Sequence, residues 1–188
     1  MVVLVVAGAS YGTWRFTEHY WGNDSYRVVA ANALYVATDL GEACLNRFRA
    51  RFQTVTVVDV RSDGERTGDS AGTAATLAEL QRLERVRRIP LAPGTLPSVA
   101  EVMEFLSICN DASCRPVLLY GGKDTSSGPE IRTATLESAY GVMLRGQTSE
   151  DALAGVGLKG SPREGEIRAL LESLPRGAHP ASGPTATR

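Results

Sequence analysis

Histidine, cysteine and any excess of one charge are scarce in this chain. Its 188 residues include two histidines, His19 and His179, near opposite ends. The three cysteines are Cys44, Cys109 and Cys114. No Cys/His group has metal-ligand spacing, so no zinc site is expected. An odd, sparse cysteine count argues against a disulfide framework. Twenty Lys and Arg face 21 Asp and Glu, for a net charge of −1. That balance gives no general pull toward nucleic acid or anionic lipid. Long apolar runs are missing too. The opening "MVVLVVAGASYGTW" is short of the roughly 20 residues that cross a bilayer. It lacks leading basic residues, which makes it a poor signal peptide. Two readings of it stay open. It is the back half of a membrane anchor, with Trp14, Phe16, Tyr20 and Trp21 at the interface, or it is a core-packed strand or frayed start.

What is present is an ordinary soluble composition, 43% apolar and 22% charged, in a chain long enough for one domain with a sizeable core. The expected organisation is an apolar and aromatic segment over 1–25, a domain over 26–174 and a tail over 175–188. The tail, "PRGAHPASGPTATR", has almost nothing to bury and is read as disordered.

Strand and helix patterns alternate through the domain. "YRVVAANALYVAT" (26–38) reads as two β runs around a bend, and "GEACLNRFRARF" (41–52) as a helix. "TVTVVDVR" (54–61) is β-branched and nearly all apolar, the pattern of a strand buried on both faces. The polar loop "RSDGERTGDSAG" leads to a helix over 73–86, with Leu77, Leu80 and Leu83 on one face. "RRIPLA" reads as a short strand. The next helix, 96–109, has Pro97 and Ser98 at its start and an apolar stripe of Val99, Val102, Met103 and Leu106. "RPVLLY" (115–120) is a second buried strand, and helices follow over 132–145, 148–156 and 161–174. The pattern predicts one α/β domain with a central, mainly parallel sheet of four or five strands flanked by helices. Ligands in such sheets bind at the carboxyl ends of strands, which here means residues 121–132.

The order and spacing of these pieces over residues 26–157 resemble the protein tyrosine phosphatase superfamily, in its compact bacterial dual-specificity form. "TVTVVDVRSDGER" is similar to the family's central strand and the turn after it. "RRIPLAPGTLPSVAEVMEFL" resembles the strand, general-acid loop and helix that precede the signature, and "RPVLLY" the strand that delivers the nucleophile. "RTATLESAYGVMLRGQTSEDAL" resembles the helix after the signature arginine, the turn and the next helix.

The family signature is His-Cys, five residues, then Arg followed by Ser or Thr. The cysteine attacks as a low-pKa thiolate. Loop amides and the arginine hold the phosphoryl oxygens, and an aspartate elsewhere protonates the leaving group. By resemblance, Arg132, Thr133, Tyr140 and Gly146 match the signature arginine, its Ser/Thr, a helix aromatic and the turn glycine. Counted from the strand, the His-Cys pair falls on Tyr120 and Gly121. The two registers differ by about five residues, so the loop is longer and the cysteine is gone. Counting back from Arg132 puts Ser126 at the nucleophile position, a weak nucleophile with no histidine nearby in sequence. "CNDASCR" (109–115) formally fits Cys-five-Arg but precedes the strand, so it reads as a chance match. The loop "LAPGTLP" (91–97) carries no acid. Asp124, inside the enlarged loop, is a poor substitute because it would repel a phosphate.

The resemblance therefore implies a catalytically inactive phosphatase-like domain that binds a phosphorylated small molecule or a phosphoprotein. Two alternatives stand beside it: an active phosphatase using unconventional residues, and an interaction scaffold that binds no anion. The anion-binding candidates are Ser126, Ser127, Gly128, Arg132 and Thr133, with Lys123 a further contact. Arg132 has a bland reading as well, an arginine paired with Glu130 or solvated. No cofactor, metal or nucleic-acid partner is implied. Membrane association would run through the N-terminus, and location is either cytoplasmic or membrane-anchored. Asp59 and Arg61 are expected to hold loops together at the end of the central strand.

Overall fold

The structure, a computed structural model, describes residues 26–37, 42–52, 54–121 and 130–175. The N-terminal segment with its aromatic group, the loop residues Lys123, Asp124, Ser126, Ser127 and Gly128, and the tail beyond Pro175 lie outside the described residues.

Five strands make one sheet: β1 (Tyr26–Ala30), β2 (Leu34–Ala37), β3 (Thr56–Asp59), β4 (Val86–Arg88) and β5 (Val117–Tyr120). Their order is β1-β2-β5-β3-β4. β1 pairs antiparallel with β2, and the other three ladders are parallel. β5 thus lies at the centre, hydrogen-bonded on both sides, as its unbroken apolar run requires. Side chains alternate across it. Val117 and Leu119 face one core, and Leu118 and Tyr120 the other. Val58 and Val57 on β3 divide the same way.

One face is covered by α1 (Glu42–Arg51) and α3 (Ala71–Arg82), through Phe48, Leu45, Leu77 and Leu80. The other is covered by α4 (Val99–Asn110), α5 (Ile131–Arg145), α6 (Ser149–Gly155) and α7 (Glu164–Ser173). A single turn, α2 (Asp63–Arg66), follows β3. This is the single-domain α/β architecture the sequence predicts. Among the described residues, no helix is long and apolar enough to cross a membrane.

Several boundaries differ from the sequence reading, each for a local reason. The strand expected in "RRIPLA" ends at Arg88, because Pro90 has no N–H for a ladder. The chain stays extended beyond it, with Ile89 N–H donating to Asp59 O (3.1 Å) and Leu91 N–H to Val60 O (3.1 Å). Leu83 lies past the last turn of α3 and is 61% exposed. α4 starts at Val99, itself exposed, and buries Phe105 and Ile108 rather than Val99. α7 starts at Glu164, and its cap residue Arg163 makes no side-chain cap bond.

Side-chain caps fix the starts of α2 to α6. Ser98 Oγ accepts from Glu101 N–H at 3.3 Å, and Glu101 Oε2 accepts from Ser98 N–H at 2.7 Å. Ser98→Ala breaks this reciprocal box and is expected to cost about 1 kcal/mol, read as a lower urea midpoint at unchanged slope.

α5 departs from the amphipathic pattern. Its residues Arg132 to Gly141 are all buried. The buried hydroxyls of Thr135 and Ser138 donate back to the carbonyls of Ile131 (2.6 Å) and Ala134 (2.9 Å). Buried Glu137 receives a two-pronged bond from Arg27 on β1, at 2.5 and 2.7 Å. The helix ends at Gly146 (φ 68°), whose left-handed backbone suits glycine. At the start of α5, Glu130 accepts from the Thr133 and Ala134 amides.

Candidate functional site at the end of the central strand

The carboxyl ends of β3 and β5 meet the start of α5. Arg61, 2% exposed, is held by the Asp59 carboxylate through Nε (3.0 Å) and Nη2 (2.9 Å), and by Asp69 through Nη1 (2.5 Å) and Nη2 (3.1 Å). Its guanidinium lies over the Tyr120 ring at 4.6 Å. Burial opposes the Arg61 charge, but the bonds to both aspartates outweigh it and raise the pKa. The cluster ties the loop after β3 to the end of β5, the structural role expected of Asp59 and Arg61. Burial also raises the pKa of Tyr120, which lies in the core.

Arg132 is equally buried, at 2% exposure. Its Nη1 and Nη2 donate to the two oxygens of Glu65, both at 2.8 Å. Nη1 also donates to Leu91 O at 2.9 Å, and Nε donates to Glu130 Oε1 at 2.5 Å. Four of the five guanidinium N–H donors are therefore spent on the protein itself. The bond from Arg132 pulls the Glu65 pKa down to about 2, against the opposing effect of burial and with help from Ser62. Ser62 caps α2 and shares the same carboxylate, its N–H donating to Glu65 Oε2 at 2.8 Å.

Glu130 is the N-cap of α5. Its Oε2 accepts the Thr133 N–H at 2.9 Å while its Oε1 holds Arg132. Thr133 turns its hydroxyl to Glu130 O (3.1 Å). Its methyl points at Gly121, where an added Cβ would lie 2.3 Å from Thr133 Cγ2 and 3.0 Å from Val60 Cγ2. The same Cβ would be 3.8 Å from Glu130 Oε2. Thus a side chain at the first residue after β5 would have to push the Thr133 methyl aside, and a carboxylate stands beside it.

The structure brings Arg132 and Thr133 together at this junction, with Glu130 between them. Ser126, Ser127 and Gly128 are not among the described residues. Glu65 and the Leu91 carbonyl were missed as partners of Arg132. The spacing Ser62-x-x-Glu65 is a capping-box signal inside what reads as a plain polar loop, and it locates Glu65 on a turn after β3.

Cys109 and Cys114 both lie ahead of β5. Cys109 ends α4, is buried, and has its thiol pKa pushed up to about 12 by that burial, with Arg115 opposing. Arg115 Nε donates to Cys109 O at 3.0 Å, ahead of β5. The Cys-five-Arg match at 109–115 is thus at the amino end of the strand, away from the α5 start. A groove of about 640 Å³ also lies at the amino ends, lined by Asn46, Arg49, Phe52, Val55, Leu80 and Leu83, and does not reach the junction. Among the described residues no group of His, Cys, Asp and Glu is arranged to hold a metal ion.

The central parallel strand β5 followed by the buried helix α5, with Arg132 and Thr133 in its first turn, has the fold of the dual-specificity and tyrosine phosphatases. The family model described as "DSP-PTPase phosphatase fused to NAD+ Kinase" matches residues 30–168, and the chain belongs to that family. Similar solved folds include Tk-PTP in its active form, at 20% identity over 80% of this chain and 99% of that one (TM-score 0.60). PTPMT1 in complex with PI(5)P matches at 12% identity over 79% and 96% (0.57). The core catalytic domain of the PP-IP phosphatase SIW14 from S. cerevisiae matches at 10% over 81% and 86% (0.57). At these identities the likeness is one of fold. No curated protein matches the sequence at a significant level.

Proposed function

We propose that this domain is a catalytically inactive dual-specificity-phosphatase-like module that acts by binding rather than by turnover. The contact between Gly121 and the Thr133 methyl carries this reading. Where the strand would deliver a thiolate, an added side chain would have to displace the Thr133 methyl. The described cysteines are free and buried, and residues 91–97 offer no acid. The ligand that suits Arg132 and Thr133 is a phosphorylated small molecule or phosphoprotein, with Ser126, Ser127 and Gly128 as the loop's contribution. A scaffold that binds no anion is the second reading, favoured by the number of Arg132 donors already bound to protein groups.

Steady-state hydrolysis of an aryl phosphate across the acid-to-neutral range tests the reading. The expected result is release no faster than in buffer. Turnover that disappears in Arg132→Ala would instead make the chain an enzyme with displaced residues.

A further inference from the structure

Two donors in this site converge on a single acceptor group. Thr133 N–H and Arg132 Nε both point at the Glu130 carboxylate, one to each oxygen, at 2.9 and 2.5 Å. Their separation and direction suit an oxyanion bridging a helix start and a guanidinium. The carboxylate is 9% exposed and lies beside Gly121, at the carboxyl end of the central strand. Glu65 plays a different part. It grips the far edge of the guanidinium through Nη1 and Nη2 and leaves Nε facing the helix start.

We propose that Glu130 is the resident anion of this site, an internal carboxylate that fills the seat made by Thr133 N–H and Arg132 Nε and shuts out external oxyanions. This rests on the binding reading above and adds what keeps the seat closed. An incoming phosphate must displace a carboxylate attached to the helix it would bind. It also meets that carboxylate's charge at close range, where like charges are costly. With Glu130 neutral or absent, the donors remain and Glu65 still orients the guanidinium. The ligand class is a tetrahedral oxyanion, free or as a monoester.

The test is a titration of the full chain with tungstate, followed by binding heat and by the Thr133 amide resonance. Glu130→Gln keeps an acceptor for the cap and removes the charge. Glu130→Ala removes both. Glu104→Gln, on the exposed side of α4, makes the same change in net charge elsewhere. The expected result is that both Glu130 variants bind tungstate on the order of tenfold tighter than the unmodified chain. The Thr133 amide shifts on addition, and Glu104→Gln behaves as the unmodified chain. Thermal melting of each variant shows that it is folded. Affinity unchanged in both Glu130 variants, no binding in any of them, or an equal gain in Glu104→Gln overturns the proposal. Absence of binding in every variant would also overturn the binding reading on which this rests, whereas unchanged affinity in both Glu130 variants overturns this proposal alone.

Discussion

Arg132→Ala is expected to destabilise the domain by about 3 kcal/mol, the range in which one partner of a buried ion pair is lost. The substitution leaves the Glu65 and Glu130 carboxylates and the Leu91 carbonyl without the cation that joins them. Partial exposure of Glu65, with 27% of its side chain accessible, keeps the loss near the low end of that range. Arg132→Lys is expected to recover less than half, because a point charge cannot reproduce the two-pronged grip on Glu65. Arg145→Ala is the control. Arg145 sits in the last turn of the same helix, is exposed and donates to Val29 O, so its loss should stay within about 0.5 kcal/mol. Urea denaturation measures all three.

The acid dependence of the first effect has a definite sign. The Glu65 carboxyl is lowered from 4.5 to about 2 by its bond to Arg132. Its contribution to stability is complete above the unfolded value and is lost as pH falls through the folded one. The unmodified chain should therefore lose stability between pH 4.5 and 2 more steeply than Arg132→Ala, and the two denaturation midpoints should converge. Parallel curves across that window would show that Glu65 and Arg132 are not coupled.

Restoring a cysteine at Gly121 is expected to harm the fold and to give no enzyme. A Cβ there meets the Thr133 methyl at 2.3 Å and Val60 at 3.0 Å, and overpacking of this kind costs about 1–3 kcal/mol. Thr133→Ser removes the methyl and keeps a hydroxyl for Glu130 O. The double variant should recover much of the loss, giving a non-zero coupling in a double-mutant cycle. Activity should not follow. The thiolate would face the Glu130 carboxylate, and residues 91–97 hold no proton donor. General acid–base catalysis alone accounts for about 10²- to 10⁴-fold. Equal destabilisation by Gly121→Cys with or without Thr133→Ser would mean that the junction is looser than described.

The fold was legible because its signals are local and strong. β3 and β5 are unbroken apolar runs, and that pattern places a strand inside a parallel sheet. Pro97 and Ser98 announce a helix start by residue type alone, and Ser98 is the N-cap. Periodicity failed at Leu83 and Val99, where apolar residues sit beyond or at the edge of a helix and face outward. Periodicity was uninformative for α5, which is buried on every side over residues 132–141 and buries Thr, Ser and Glu as readily as Leu.

The site was half legible. Arg132 and Thr133 could be placed by resemblance, and the pairing of Arg132 with Glu130 was visible as an alternative. Its second partner, Glu65, stands far away in sequence, on a turn joined to the junction only when β3 and β5 pair. The closeness of Gly121 to Thr133 follows from the same strand and helix meeting, so no sequence pattern contains it.

Whether this phosphatase-fold chain does phosphoryl chemistry is read from a pre-steady-state experiment: an aryl phosphate in excess over the full chain, with aryl alcohol release followed from mixing. A displaced nucleophile that reacts even once gives a burst before any slow hydrolysis. The account predicts no burst and no steady release, with identical traces for the unmodified chain and Ser126→Ala. A burst in the unmodified chain that vanishes in Ser126→Ala would contradict it and assign the nucleophile to that serine.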